Sequence, residues 1–288
     1  MALDPEFVGM RSDCAGRLDI VRRDDGSSAG QAPRPPRVNI YGVDFDALDE
    51  QTVVATIVGA ANQERGGWVL TINTDILRQI TGDAEIMDMV SCADIVAPDG
   101  MPIIWSSKVL GTELPERVTG SSLIWSLSEA AASAGLSVFL LGGNEGAAEG
   151  AAEVLTERFP SLKVVGALCP PRNFDLDPVQ VAAAVDAVVA ARPSICYVGL
   201  GFPKQEKMIL ELRAKLPNTW FLGIGVSLSI ASGEFERAPE WMQRTGLEWL
   251  YRLVQEPKRL ATRYLVYDLP FFVRLAFSNF RRRWQTKS

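Results

Sequence analysis

Between residues 38 and 225 the chain repeats one unit: a short apolar run of β-type residues, a turn, then a stretch with helical spacing. The runs fall at 38–41, 68–71, 94–97, 136–141, 163–167, 195–199 and 220–225. The helical stretches fall at 49–62, 77–90, 102–110, 121–134, 146–159, 178–191 and 204–216. Parallel strands need long crossovers, and helices that serve as crossovers cover both faces of the sheet. The expected fold is therefore α/β, with a mostly parallel sheet and helices on both faces. Ligands of such sheets bind beyond the carboxyl ends of the strands. Those ends read Thr71-Ile72-Asn73, Pro98-Asp99-Gly100, Gly142-Gly143-Asn144, Gly199-Leu200-Gly201 and Gly223-Ile224-Gly225, and all should gather on one rim.

The alternation stops after Arg237-Ala238-Pro239. The remaining C-terminal segment reads as helical and aromatic, with Trp241, Trp249, Tyr251, Tyr264, Tyr267, Phe271, Phe272, Phe277, Phe280 and Trp284. Residues 237–288 carry 11 Lys+Arg and 4 Asp+Glu, a net of +7. The whole chain is −6, so residues 1–236 hold −13. A basic tail on an acidic body points to an anionic partner, nucleic acid or anionic lipid. The longest apolar stretch, 264–277, is broken by Asp268, Pro270 and Arg274. A span needs about 20 apolar residues, so this one should lie on a membrane rather than cross it. At the other end, residues 1–7 resemble a cloning remnant, and 11–37 are rich in Ser, Gly, Pro, Asp and Arg, a composition typical of disorder. No basic start followed by an apolar run marks a secretory signal. The expected division is a disordered leader at 1–37, a catalytic core at 38–236 and a basic, aromatic helical appendage at 237–288.

The chain contains no histidine. That excludes Ser-His-Asp and Cys-His nucleophile systems and most zinc sites. Its four cysteines, Cys14, Cys92, Cys169 and Cys196, have no CxxC spacing, so no disulfide framework is expected and a reducing cytosol fits. Chemistry must then rest on carboxylates, amides and arginines. The run Ile195-Cys196-Tyr197-Val198-Gly199-Leu200-Gly201 leads through Phe202-Pro203 into Lys204, Gln205 and Glu206. A glycine-rich strand end before a helix makes an anion site, with Gly201, Lys204 and Gln205 around it and Pro203 in the first helical turn.

Asp99, at a strand end before Gly100, can serve as a general base on a hydroxyl; an Asp-Gly turn is the structural alternative. Arg117 stands in a loop before a helix capped by Thr119 or Ser121, a position suited to a diphosphate. Its alternative is a salt bridge to Glu116 or another acid. Gly142 and Gly143 form either a ligand contact or a tight turn, and they match neither GxGxxG nor the Walker pattern. Asp44-Phe45-Asp46 and Asp175-Leu176-Asp177 have the DxD form of metal-dependent glycosyltransferases. Both are read as helix-capping segments, so no bound metal is expected.

Taken in order, Thr71-Ile72-Asn73, Pro98-Asp99-Gly100, Glu116-Arg117-Val118-Thr119-Gly120, Leu140-Leu141-Gly142-Gly143, the 199–206 segment, Ser232-Gly233, Arg237-Ala238-Pro239 and Leu247-Glu248-Trp249-Leu250-Tyr251-Arg252, followed by Pro257, Arg259 and Arg263, resemble the WecG/TagA/CpsF family of bacterial glycosyltransferases. The resemblance covers roughly residues 38–273. It implies a Rossmann-like core with a C-terminal helical appendage. It also implies inverting, metal-independent transfer of a hexosyl unit from a UDP-sugar to a polyprenyl-diphosphate-linked acceptor at the inner face of the cell membrane, with no cofactor and no nucleic acid. Glucose, N-acetylmannosamine and its uronic acid all fit as the donated sugar. The long aromatic tail leans towards exopolysaccharide assembly, as in GumM-like glucosyltransferases. By resemblance Asp99 is the base, Thr71 and Asn73 lie near the sugar, Arg117 stabilises the leaving diphosphate, and Gln205 lines the nucleotide-sugar pocket. Arg252, Arg259 and Arg263 close over the site from the appendage. Two departures stand out: Ser229 occupies an expected aspartate position, and Cys169-Pro170-Pro171 replaces a glycine-aromatic turn. Self-association stays open. An NAD-dependent oxidoreductase is a rival reading, weakened by the missing GxGxxG, and a non-catalytic membrane scaffold is another.

Overall fold

The computed structural model describes residues 35–285, with the side chains of Arg244, Arg259, Arg282 and Gln285 outside that description. The leader expected at 1–37 falls outside it as far as residue 34. In chain order the elements are β1 (Arg37–Ile40), β2 (Val43–Asp46), α1 (Glu50–Ala61), β3 (Gly67–Ile72), α2 (Thr74–Gly82), α3 (Ala84–Val90), β4 (Ile95–Pro98), α4 (Met101–Leu110), α5 (Gly120–Ala134), β5 (Ser137–Gly142) and α6 (Ala147–Arg158). There follow β6 (Lys163–Leu168), α7 (Pro178–Ala191), β7 (Ile195–Gly199), α8 (Lys204–Lys215), β8 (Trp220–Gly223) and α9 (Ser227–Ala231). The chain ends in α10 (Glu240–Thr245), α11 (Glu248–Gln255), α12 (Pro257–Ala261), a π-helical stretch (Thr262–Asp268) and α13 (Leu269–Gln285).

Six strands form one parallel sheet in the order β4-β3-β8-β7-β5-β6. The fold is Rossmann-like, with a helical C-terminal appendage. The central strands β3, β7 and β8 are buried along their whole length. Their side chains alternate between two apolar layers. Trp68, Leu70, Cys196, Val198 and Phe221 enter one layer, and Val69, Ile195, Tyr197, Trp220 and Leu222 the other. This double burial is why the strands read as continuous apolar runs.

The run at 38–41 does not join this sheet. It pairs antiparallel with β2 as a separate hairpin. Asp44 and Asp46 therefore lie in a strand rather than capping α1, which is capped by Asp49 through the Thr52 amide at 2.7 Å. Asp46 is 3% exposed; it accepts from the Val96 amide at 2.8 Å and pairs with Arg37 at 2.8 Å, tying the hairpin to β4. The stretch at 77–90 is two helices, because Asp83 leaves the helical conformation and its carboxylate caps α3 through the Glu85 and Ile86 amides. Cys169 and Cys196 are free.

The appendage packs on the core. Phe271 and Leu275 of α13 are buried in the first apolar layer, and the Phe271 ring meets Tyr41 edge-on at 5.4 Å. Arg78 and Asp75 of α2 interlock with Arg263 and Asp268 of the π-helical stretch. The Arg78–Asp75 and Arg263–Asp75 contacts are 2.5 and 3.2 Å, and both arginines lie 3.6 Å from Asp268. The outer face of the appendage is apolar: Val254, Phe277 and Trp284 are each more than 70% exposed. No helix among the described residues is long and apolar enough to cross a membrane.

Asp46→Ala should cost about 2–4 kcal/mol, since it leaves a buried amide and a half-buried guanidinium unpaired. Urea unfolding measures this, and a loss below about 1 kcal/mol would show that the hairpin is not held through Asp46.

Candidate active site

The parallel direction of the strands puts every carboxyl end on one edge, and Asp99 sits there, one residue beyond β4. Two backbone bonds fix the local frame. The Asp99 amide donates to the Ile72 carbonyl at 2.8 Å, and the Val118 amide donates to the Pro98 carbonyl at 2.9 Å. The second bond sets Arg117 beside Asp99. Thr119 caps α5 by accepting from the Ser122 amide at 3.1 Å. A Cβ on Gly120 would stand 2.9 Å from the Ile224 Cα, so only glycine lets this helix start so close to the end of β8.

Burial pushes the Asp99 carboxyl up to about 6. Arg117 opposes that rise, Glu248 adds to it, and Arg252 and Arg237 oppose it. A carboxylate poised near neutrality, partly open to solvent and beside a guanidinium, is suited to take a proton from a hydroxyl. The four charged neighbours come from three places: the loop before α5, the segment before α10, and α11. Arg237, Glu248 and Arg252, with Val226, Ile230 and Phe235, line a cleft between α9 and α11.

Arg117 is paired, as its alternative reading allowed, but with an acid far away in sequence. Its Nη1 donates to Glu248 Oε2 at 2.7 Å, and each side chain is 16% exposed. Glu116 instead accepts from the Glu50 amide. Thr71 is buried and its hydroxyl donates to the Gly223 carbonyl at 3.2 Å. Asn73 caps α2 through the Ile76 amide at 3.0 Å, close to Gly100. Gln205 is 3% exposed beneath the end of β8: its Oε1 accepts from the Gly225 amide at 3.2 Å and its Nε2 donates to Glu206 at 2.8 Å. Burial pushes the Glu206 carboxyl up to about 8, which favours its neutral form.

Other candidates have structural partners of their own. Gly142 has φ +107°, and a Cβ there would stand 2.6 Å from the Gly199 carbonyl oxygen, so the glycine serves the approach of β5 to β7. Gly143 also has positive φ and donates to the Gly199 carbonyl at 2.8 Å. Gly201 stands at the turn into α8, where the Gln205 amide donates to its carbonyl at 3.0 Å, and Pro203 falls just before the helix, joined to Phe202 by a cis peptide. Lys204 pairs with Asp175 at 2.7 Å, while Asp177 caps α7 as expected. Ser229 is buried in α9. Arg263 belongs to the ion cluster on α2, and the Arg259 side chain lies outside the described residues. Arg237, to which the sequence reading assigns no role, lines the cleft with its Nε buried and unpartnered. An arginine directly before Ala-Pro at the end of the alternating region is the signal that could have found it.

Residues 38–285 match the family described as Glycosyl transferase WecG/TagA/CpsF. A Bacillus subtilis (strain 168) protein named N-acetylglucosaminyldiphosphoundecaprenol N-acetyl-beta-D-mannosaminyltransferase is 30% identical over 199 residues, covering 69% of this chain and 75% of its own. A Staphylococcus aureus (strain MW2) protein of the same name is 27% identical over 226 residues, covering 78% of this chain and 87% of its own.

The raised Asp99 carboxyl also acts on stability. In the unfolded chain an aspartate titrates near 3.9, so the folded state binds this proton more tightly. Stability from the neutral carboxyl is present below the unfolded value and is lost as pH rises through about 6. Asp99→Asn should therefore melt about 2–4 °C above wild type at pH 7.5, and the gap should close as pH falls towards 4. Calorimetry across pH checks this; a variant that melts lower at pH 7.5 would show that the charged form is stabilised in place.

Proposed function

The chain belongs to the WecG/TagA/CpsF family of glycosyltransferases, and we propose that it moves a hexosyl unit from a UDP-sugar to a sugar on a polyprenyl-diphosphate carrier in surface polysaccharide assembly. The protein is a hexosyltransferase, which removes the oxidoreductase and non-catalytic scaffold readings. The observation that carries the proposal is Asp99: a half-buried carboxylate at a strand end, beside Arg117, in a chain without histidine.

Asp99 takes the proton of the acceptor hydroxyl. The freed oxygen bonds to the anomeric carbon from the face opposite the diphosphate, the carbon–oxygen bond to UDP breaks, and configuration inverts. A single base suffices for such a displacement. Negative charge builds on the departing diphosphate, where Arg117, Arg237 and Arg252 are placed to meet it. Thr71, Asn73, Gly100 and Gln205 shape the floor of the sugar and nucleotide site, Gln205 by bracing the Gly225 turn. Lys204, Gly142, Gly143 and Gly201 extend the rim. We assign no metal to the reaction, because the aspartates of both DxD segments already serve the hairpin, α7 and Lys204. The names of the relatives favour N-acetylmannosamine among the three candidate sugars; the glucosyltransferase reading rests on the aromatic tail alone. We read residues 237–288 as the membrane-associating part, with exposed apolar side chains and net positive charge facing the inner leaflet.

Purified protein assayed in EDTA with a panel of UDP-sugars and a short polyprenyl-diphosphate-sugar should transfer one sugar. Asp99→Asn should lose about 10²–10⁴-fold in turnover and keep UDP binding. A variant within threefold of wild type would exclude Asp99 as base, and transfer that required added Mn²⁺ would end the metal-free reading.

Vesicle flotation tests the appendage. Binding to anionic liposomes should weaken as salt rises, and truncation after Pro239 should abolish both flotation and transfer to a soluble acceptor. Full-rate transfer by the truncated protein would reduce the appendage to an anchor and remove Arg252 and Arg259 from the site.

A further inference from the structure

Arg117 and Glu248 lie 131 positions apart, yet their side chains meet at 2.7 Å with only 16% of each exposed. One stands on the core loop before α5 and the other in the first turn of α11. Their contact uses a single guanidinium nitrogen, Nη1, not the two-bond fork of the strongest arginine–carboxylate pairs. A phosphate group can engage such a fork through two oxygens, so it competes well for this arginine. Glu248 also faces Asp99, whose other charged neighbours are Arg117, Arg237 and Arg252. The cleft is lined by Arg237 and Arg252 and by Glu236, Glu248 and Glu256; among the described residues neither of these arginines has a carboxylate at ion-pair distance, and of the three glutamates it is Glu248 that pairs with Arg117.

We propose that Glu248 is a positioning residue: it holds the Arg117 guanidinium at the cleft wall as a stand-in anion and yields it to the diphosphate of the substrate. The exchange deepens the reaction proposed above and rests on it for the identity of the ligand. It makes binding a trade of one anion for another. Arg117 is never left as a lone, poorly hydrated charge, and the appendage contributes to the site through an acid as well as through arginines. Because the carboxylate and the diphosphate compete for one group, removing the carboxylate strengthens diphosphate binding, and does so only through Arg117.

Calorimetric titration of the full chain with pyrophosphate, and separately with UDP, tests this in wild type, Glu248→Gln, Glu248→Asp, Arg117→Gln and the Arg117→Gln/Glu248→Gln double variant. Glu248→Gln should bind pyrophosphate about 2–10-fold tighter, and Glu248→Asp, which keeps the charge, should stay within about twofold of wild type. In the Arg117→Gln background the Glu248→Gln effect should vanish. Unchanged or weaker binding by Glu248→Gln, a tightening that persists without Arg117, or no binding of either ligand by wild type would overturn the proposal. If wild type binds pyrophosphate but not UDP, the UDP-sugar reading fails, and Glu248→Gln still decides the exchange. If UDP binds and depends on Arg117 while Glu248→Gln leaves it unchanged, the exchange alone fails.

Discussion

Everything at the candidate site depends on six strands running the same way. A parallel strand cannot return to its neighbour by a tight turn, so each one ends at the same edge and hands the chain to a loop and a helix. That edge collects Asn73, Asp99, Gly201 and Gly225 from strands far apart in sequence. Once Asp99 is pinned by its bond to the Ile72 carbonyl, and Arg117 by the Val118–Pro98 bond, carboxylate and guanidinium sit together without either side chain having to search for its place.

Electrostatics then decides what the edge can do. With no histidine available, proton transfer near neutral pH needs a carboxylate moved up from its ordinary range, and burial does this to Asp99. The same burial would make the neighbouring arginines costly if they were all left alone. The structure answers by lending Arg117 an acid from α11, while among the described residues Arg237 and Arg252 have none at ion-pair distance. The appendage is thus joined to the core in two chemically different ways. An ion pair lies at the cleft, and an apolar and ionic seam lies along α2 and α4, where Phe271, Leu275 and the Asp75–Arg263 contact sit.

Much of this is legible in the chain. Strands buried on both faces announce themselves as apolar runs, which is why the parallel sheet and its rim can be read directly. The run at 38–41 reads like a member of that sheet because four residues carry no information about their partner; the Val43-Asp44-Phe45-Asp46 strand that pairs with it is hidden by its aspartates. The break between α2 and α3 is signalled by Gly82-Asp83, yet the helical spacing runs on across it and masks the signal. Asp99 and Arg117 can be found because strand ends and helix starts are local features. The Arg117–Glu248 contact, the bracing role of Gln205 and the capture of Arg263 by α2 cannot, since each depends on elements meeting across long stretches of chain. Ser229 stands out in the sequence as a departure, and its burial in α9 gives the position a place but no chemistry.

The most direct test of the account is an experimental structure with UDP bound. The account places the diphosphate against Arg117 at the carboxyl edge of β4, within reach of a sugar whose anomeric carbon faces an acceptor activated by Asp99. Phosphates lying against Lys204 and the start of α8 instead, with Arg117 still paired to Glu248, would contradict it.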